Sequence, residues 1–430
     1  MAERLLEQYQ ENVAPGPQFD DGSVLPTLPS KIPIRLIAFF LPQYHSIAEN
    51  DRWWGAGFTE WTNVTKTLPK FPDHYQPRLP QALGFYDLSH PNTLRRQADF
   101  ARRYGIEGFC FHHYWFHGRR LLQTPLDNLL ADRGIDLPFC INWANENWTR
   151  RWDGNETDVL MPQAHSCEDD VAFARSLARV FDDPRYIRIS GRPLLMLYRP
   201  ELLPNARATV ERWREYFATR GESPFLLMPQ HHFGQNDPRV YGMDGAVGFP
   251  PFGPGESARR VIPSSLFDPD FAGTLRRYEE VAQAALSHEP KDFRYFPGVC
   301  PSWDNTARSQ NRALVIHGST PQKWGAWLEA AARKTLAQPE PERIVFINAW
   351  NEWAEGAYLE PDRHFGHAYL AQIAAALSRI AHEPTRAWQT AAAPLAVSVE
   401  RSPRTAQVFR RTAHKGARLA ADLARLLARV

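Results

Sequence analysis

Glu352 and Glu355 stand three residues apart in Trp350-Asn-Glu-Trp-Ala-Glu-Gly356. That spacing puts two carboxyls on one side of a single helical turn. Two carboxyls facing one bond are the minimum apparatus for glycosidic cleavage: one donates a proton to the leaving oxygen and the other acts on the sugar. Burial among indoles would keep one carboxyl protonated near neutrality, while a neighbouring arginine or amide would keep the other ionised. The same spacing also suits a structural pair, with Glu352 as a cap and Glu355 in a surface ion pair.

Other polar groups gather in similar settings. Asn142-Trp-Ala-Asn-Glu-Asn-Trp148 offers Asn142, Asn145, Glu146 and Asn147 to hydroxyls, with Glu146 a second candidate acid. Glu60, beside Trp61, is comparable. Asp304 and Arg308 are expected at the same mouth. His112, His113 and His117 form one group and His231 and His232 another. Adjacent histidines on a strand face opposite ways, and a metal needs three or four convergent ligands, so no metal site is expected. His113 and His231 are the candidates for binding sugar hydroxyls. Ten of the fourteen tryptophans (Trp53, Trp54, Trp61, Trp115, Trp143, Trp148, Trp152, Trp303, Trp350 and Trp353) follow short apolar runs directly. Indole faces beside polar groups suit the C–H face and hydroxyls of a sugar ring, although tryptophans also brace long loops.

These residues are positioned by a repeating pattern of apolar run, polar-aromatic loop and amphipathic helix. The runs begin at Ile34, Gly108, Pro138, Pro193, Phe225, Gly245, Tyr295 and Arg343. Helices are expected over Asn92–Tyr104, after Cys167, from about Val210 to Thr219, from Thr274, from Thr320-Pro321 and around Leu370 to Ile380. Continuous apolar runs fit strands buried on both faces. Eight of them alternating with helices indicate an α/β (β/α)8 TIM barrel over residues 33–383, rather than an open doubly wound sheet. Residues 1–32 read as a proline-rich N-terminal strap, and residues 384–430 as a linker and a basic amphipathic C-terminal helix.

The 430 residues carry 50 Lys and Arg against 48 Asp and Glu, a balance that does not suggest nucleic acid. From Pro384 onward nine basic residues meet two acidic ones, which leaves the body mildly acidic. The tail reads either as a solvated helix or as a peripheral contact with an anionic membrane surface. No apolar run approaches the roughly 20 residues of a membrane span, and the N-terminus does not look like a secretory signal. A cytoplasmic location is therefore expected, at the inner membrane if the tail binds it. The four cysteines have no Cys-x-x-Cys spacing; Cys110, Cys140 and Cys300 lie in apolar runs and are expected to be buried thiols.

Asn351-Glu-Trp-Ala-Glu-Gly-Ala-Tyr-Leu-Glu-Pro-Asp362 resembles the WbsX-type proteins, which are similar in turn to glycoside hydrolase family 99, the endo-α-mannosidases and endo-α-mannanases. Phe39-Phe-Leu-Pro-Gln-Tyr-His45, Trp53-Trp-Gly through Glu60-Trp61, Phe111-His-His-Tyr-Trp115 and Asn142 to Trp148 agree with it. Within these segments Tyr44, His45, Tyr114, Asn351 and Glu360 complete the candidate substrate-binding set. The resemblance implies a (β/α)8 fold and a retaining, metal-independent and cofactor-free attack on an α-linked sugar. It also implies Glu355 as acid/base and Glu352 as the base that helps the sugar's own 2-hydroxyl form an anhydro-sugar intermediate. Ala354 stands where family 99 usually has histidine. The expected activity is thus an endo-type glycosidase or transglycosylase acting on an oligosaccharide or polysaccharide such as a bacterial O-antigen. Glycosyl transfer in polysaccharide assembly and a non-catalytic carbohydrate-binding barrel are the competing readings.

Overall fold

The computed structural model describes residues 1–150, 155–231, 235–290 and 292–382. The basic tail, Trp152 and His232 lie outside the described residues.

Eight parallel strands form the core: β1 (Arg35–Phe40), β2 (Gly108–Phe116), β3 (Phe139–Trp143), β4 (Arg192–Leu197), β5 (Phe225–Gln230), β6 (Gly245–Gly248), β7 (Arg294–Phe296 with Gly298–Val299) and β8 (Ile344–Ile347). Each pairs with the next, and β8 pairs with β1 in the register Arg35↔Ile344, so the ring closes. Every expected run supplies one strand. Pro297 splits β7 because proline has no N–H for the ladder; the first half bonds β6 and the second bonds β8. At Gly298 a Cβ would stand 1.7 Å from the Gly248 carbonyl oxygen, so only glycine allows β6 and β7 to approach so closely there.

The helices cover the ring: Pro91–Arg103, Cys167–Phe181, Ala206–Ala218, Tyr278–Ser287, Pro321–Thr335 and Ala368–Ala381. Thr320 accepts from the Lys323 N–H as N-cap, with Pro321 in the first turn. The helix expected from Thr274 begins four residues later. Thr274–Arg277 is instead a strand of a second, four-stranded sheet with Arg260–Val261, Leu314–His317 and Trp303–Asp304. Residues 1–32 are more than a strap, since Ala2–Asn12 is helical. The Asn12 amide donates to the carbonyls of His74 and Gln76, and Asp20 bridges to Gly366. Cys110, Cys140 and Cys300 are buried, and all four thiols are free. No helix among the described residues is long and apolar enough to cross a membrane.

Candidate active site

Immediately after β8 the chain makes a small hairpin, Asn351–Glu352 against Ala357–Tyr358, around the single 3-10 turn Trp353–Glu355. In such a turn residues three apart eclipse one another, so Glu352 and Glu355 share a side. Gly356 closes the hairpin at φ +61°, where a side chain would be strained and would press on Asp304 from 3.0 Å. Asn351 fixes the hairpin to the barrel: its side chain accepts from the Leu41 N–H at 2.8 Å and donates to the Leu41 carbonyl at 2.9 Å.

Both glutamates open onto a cleft of about 490 Å³ at the C-terminal end of the barrel strands. Arg308 joins them. One of its nitrogens (Nη2) bonds Glu352 at 2.8 Å and Glu60 at 3.0 Å, and the other (Nη1) meets Glu355 at 2.9 Å. One guanidinium thus faces three carboxyls. Burial, with Glu355 and Glu60 as negative neighbours, pushes Glu352 well above the usual carboxylate range despite Arg308. Arg308 rides on the short helix Thr306–Ser309, which is itself anchored. Asp304 accepts from the Thr306 N–H and hydroxyl and from His74 Nε2 at 2.8 Å, while His74 Nδ1 accepts from the Lys70 N–H. The adjacent His74 and Arg78 hold Asp304 well below the usual carboxylate range, against the effect of its burial.

The rest of the cleft wall comes from the ends of several strands. Trp53 and Trp54, at the end of the helix Ala48–Trp54, face Trp148, whose ring meets Trp53 edge-on at 5.9 Å. Gln43, His112, Tyr114, Glu146, Tyr198, His231, Phe249, Phe252 and Asn348 complete much of it. Glu146 accepts from Arg199 at 2.6 Å. His231 shares a hydrogen bond with the Tyr198 carbonyl, and burial lowers its pKa.

Of the candidates named from sequence, Glu352, Glu355, Trp53, Trp54, Tyr114, Glu146, Asn147, Trp148, His231 and Arg308 therefore line the cleft. Several others serve the fold. Trp143 stacks on Phe173 at 4.5 Å between barrel and helix layer, Trp115 donates to Asp169, and Trp350 packs on Phe109 at 5.0 Å. Trp353 stacks on Tyr358 at 3.8 Å, Trp61 packs against Tyr44 at 4.5 Å, and Trp303 is buried behind Phe252. The expected ring of indoles is thus reduced, among the described residues, to three. Asn145 braces the main chain of Arg199 with two hydrogen bonds, and Tyr44 accepts from the Trp353 N–H. Glu360 accepts from Tyr86, Gln97 and Trp353 in a sealed network, and burial raises its pKa to about 7. His45 and Asp304 are buried away from the cleft, and Glu60, also outside its lining, meets Arg308 from behind.

His113 is corrected to its neighbour. Its ring packs towards Phe173 of the helix layer and burial lowers its pKa to about 3, whereas His112 lines the cleft. The amide of Asn142 donates to His112 Nδ1 at 3.2 Å, and burial lowers the His112 pKa to about 4, so this imidazole is neutral. The alternation of faces along a strand signalled that only one of the two could serve; which one depended on the strand's rotation about its axis. Gln43, Tyr198, Phe249, Phe252 and Asn348 were missed and carried no distinguishing spacing. Among the described residues no group of three or more His, Cys, Asp or Glu side chains is arranged to hold a metal ion.

The family described as "Glycosyltransferase WbsX" matches residues 36–373. "Uncharacterized protein WxcX" of Xanthomonas campestris pv. campestris is 47 % identical over 356 residues, covering 82 % of this chain and 51 % of that protein. The chain thus spans about half the length of the curated relatives it matches. Among solved structures, a "Glycoside hydrolase-like protein" superposes with a TM-score of 0.50 at 14 % identity, covering 84 % of this chain and 98 % of that one. The GH99 endo-alpha-mannosidase from Bacteroides thetaiotaomicron gives 0.49 at 14 % identity, covering 84 % and 100 %. At 14 % identity the likeness to the glycoside hydrolase-like protein concerns the fold alone.

Proposed function

The chain belongs to the WbsX glycosyltransferase family, and from that membership and the geometry of the rim we propose a carbohydrate-active enzyme that cleaves or transglycosylates an α-linked bacterial surface glycan with retention. The observation that carries this reading is the meeting of Glu352 and Glu355 on Arg308 in one open cleft. The two carboxyls and Arg308 work as a unit that holds a shared proton. Glu355, the more accessible of the two, is the acid/base at the glycosidic oxygen, and Glu352 engages the sugar's 2-hydroxyl. Burial raises the pKa of Glu352, which strengthens it as a base towards that hydroxyl once it is ionised. Trp53, Trp54 and Trp148 supply stacking faces, and Glu146, His112 and His231 bind hydroxyls. No cofactor takes part in these steps.

The test is incubation of the protein with O-antigen-type polysaccharides and mass spectrometry of the products. Glu355→Gln should abolish product while leaving fold and binding intact; near-normal turnover would reject the assignment. The family description favours a second reading, transfer from an activated sugar during polysaccharide assembly, with the basic tail near lipid-linked acceptors. Tight calorimetric binding of a sugar nucleotide would favour transfer over cleavage. Glycan binding indifferent to either glutamate, with no product formed, would point to a non-catalytic barrel.

A further inference from the structure

Gln43, just beyond β1, is only 9 % exposed, lines the cleft, and has a side-chain oxygen with no hydrogen-bond partner. Its amide nitrogen donates to the Tyr114 hydroxyl at 2.8 Å. That hydroxyl, on β2 and also at the cleft wall, is thereby occupied as an acceptor and keeps its own proton to give. Burial raises the Tyr114 pKa, so the proton stays. The pair presents one free acceptor and one free donor side by side. Exchanging the amide's oxygen and nitrogen would leave the count the same: the tyrosine proton would go to Gln43, freeing an amide donor and the phenol oxygen as acceptor. A group that both donates and accepts, as a sugar hydroxyl does, satisfies either arrangement. Trp148 stands edge-on to Tyr114 at 5.1 Å and supplies an aromatic face beside the pair.

We propose that Gln43 and Tyr114 form a hydroxyl-reading subsite for an uncharged saccharide ring. This rests on the reading of the cleft as a glycan site and names the substrate class. The surrounding charge agrees. Glu146 and Glu355 face the cavity, while Arg308 and Arg199 are each engaged by at least two carboxylates. A carboxylate or phosphate on the sugar would meet repulsion here.

The Gln43 side-chain oxygen has no protein partner, so a contact made there serves a ligand rather than the fold. Binding and stability should therefore part company. The experiment measures thermal unfolding of wild type, Gln43→Met and Tyr114→Phe. It also measures calorimetric affinity for mannopentaose, maltopentaose, chitopentaose and oligogalacturonate. The expected result is binding of at least one neutral oligosaccharide, weakened about 10- to 100-fold in both variants, as for loss of a buried hydroxyl contact. Gln43→Met should meanwhile lower the melting temperature only slightly, by the one lost bond to Tyr114. Unchanged affinity in both variants, or preference for oligogalacturonate, would overturn the subsite and leave the glycan reading standing. A Gln43→Met variant that loses binding together with stability would reveal a merely structural glutamine and also overturn it. Failure of wild type to bind any of the four would overturn both readings.

Discussion

Glu60 never touches the cleft, yet it should control the titration of the residue that does. Its carboxylate and that of Glu352 lie 3.0 and 2.8 Å from the same Arg308 nitrogen. They are therefore within about 6 Å of each other and repel by about 3 kcal/mol at an effective dielectric of about 20. Because the folded-state pKa of Glu352 lies above its ordinary 4.5, the folded chain keeps a proton that the unfolded chain releases. Stability from this group falls as pH rises from about 4.5 towards the folded value. Glu60→Gln preserves the shape and an acceptor for Arg308 but deletes the charge. Below the folded pKa of Glu352, where it is protonated, only the attraction to Arg308 is lost and the variant is less stable than wild type. As pH rises and Glu352 ionises, the lost repulsion offsets that penalty. The gap should narrow by about 3 kcal/mol as pH rises through the folded pKa of Glu352. Urea denaturation of both proteins at half-unit pH steps measures it. A penalty that is constant, or that widens with pH, would refute the shared-arginine account.

Glu360→Gln should cost about 1–3 kcal/mol, because an amide donor replaces an acceptor among three donors. It should also remove the stability that wild type loses between pH 4.5 and about 7, read from the same denaturation series. Asn351→Ala leaves a buried main-chain N–H and carbonyl of Leu41 without partners and should cost about 2–4 kcal/mol, with lower melting temperature and any turnover falling in step. Gly356→Ala should lower the melting temperature and, by moving the turn that carries Glu355, reduce turnover at least 10-fold; wild-type values for both would contradict the strained closure. Trp148→Ala should weaken glycan binding with little change in melting temperature, whereas Trp350→Ala should cost about 3–5 kcal/mol as a core truncation.

The barrel could be read from the chain because most of the strands are buried on both faces and therefore spell largely apolar runs. The same rule misled at Thr274, where a strand and the helix Tyr278–Ser287 share one apolar stripe and periodicity cannot divide them. Glu352 and Glu355 could be found because their relation is local, three positions in one turn. Their dependence on Arg308, 44 residues from Glu352, and on Glu60 could not, since only the closed ring brings those loops together. The tryptophans failed for a directional reason. Following a strand places an indole near the mouth but does not decide whether it turns into the cleft, as Trp148 does, or back onto the helices, as Trp143 does.

The hairpin after β8 is clamped at Asn351, at Gly356 and through Glu360, whereas Trp53, Trp54 and Trp148 project from peripheral segments outside the ring. Replacements among those three indoles leave the clamp untouched. A change in the glycan preferred under the proposed function could thus be confined to the outer lip, with the two glutamates left as they are.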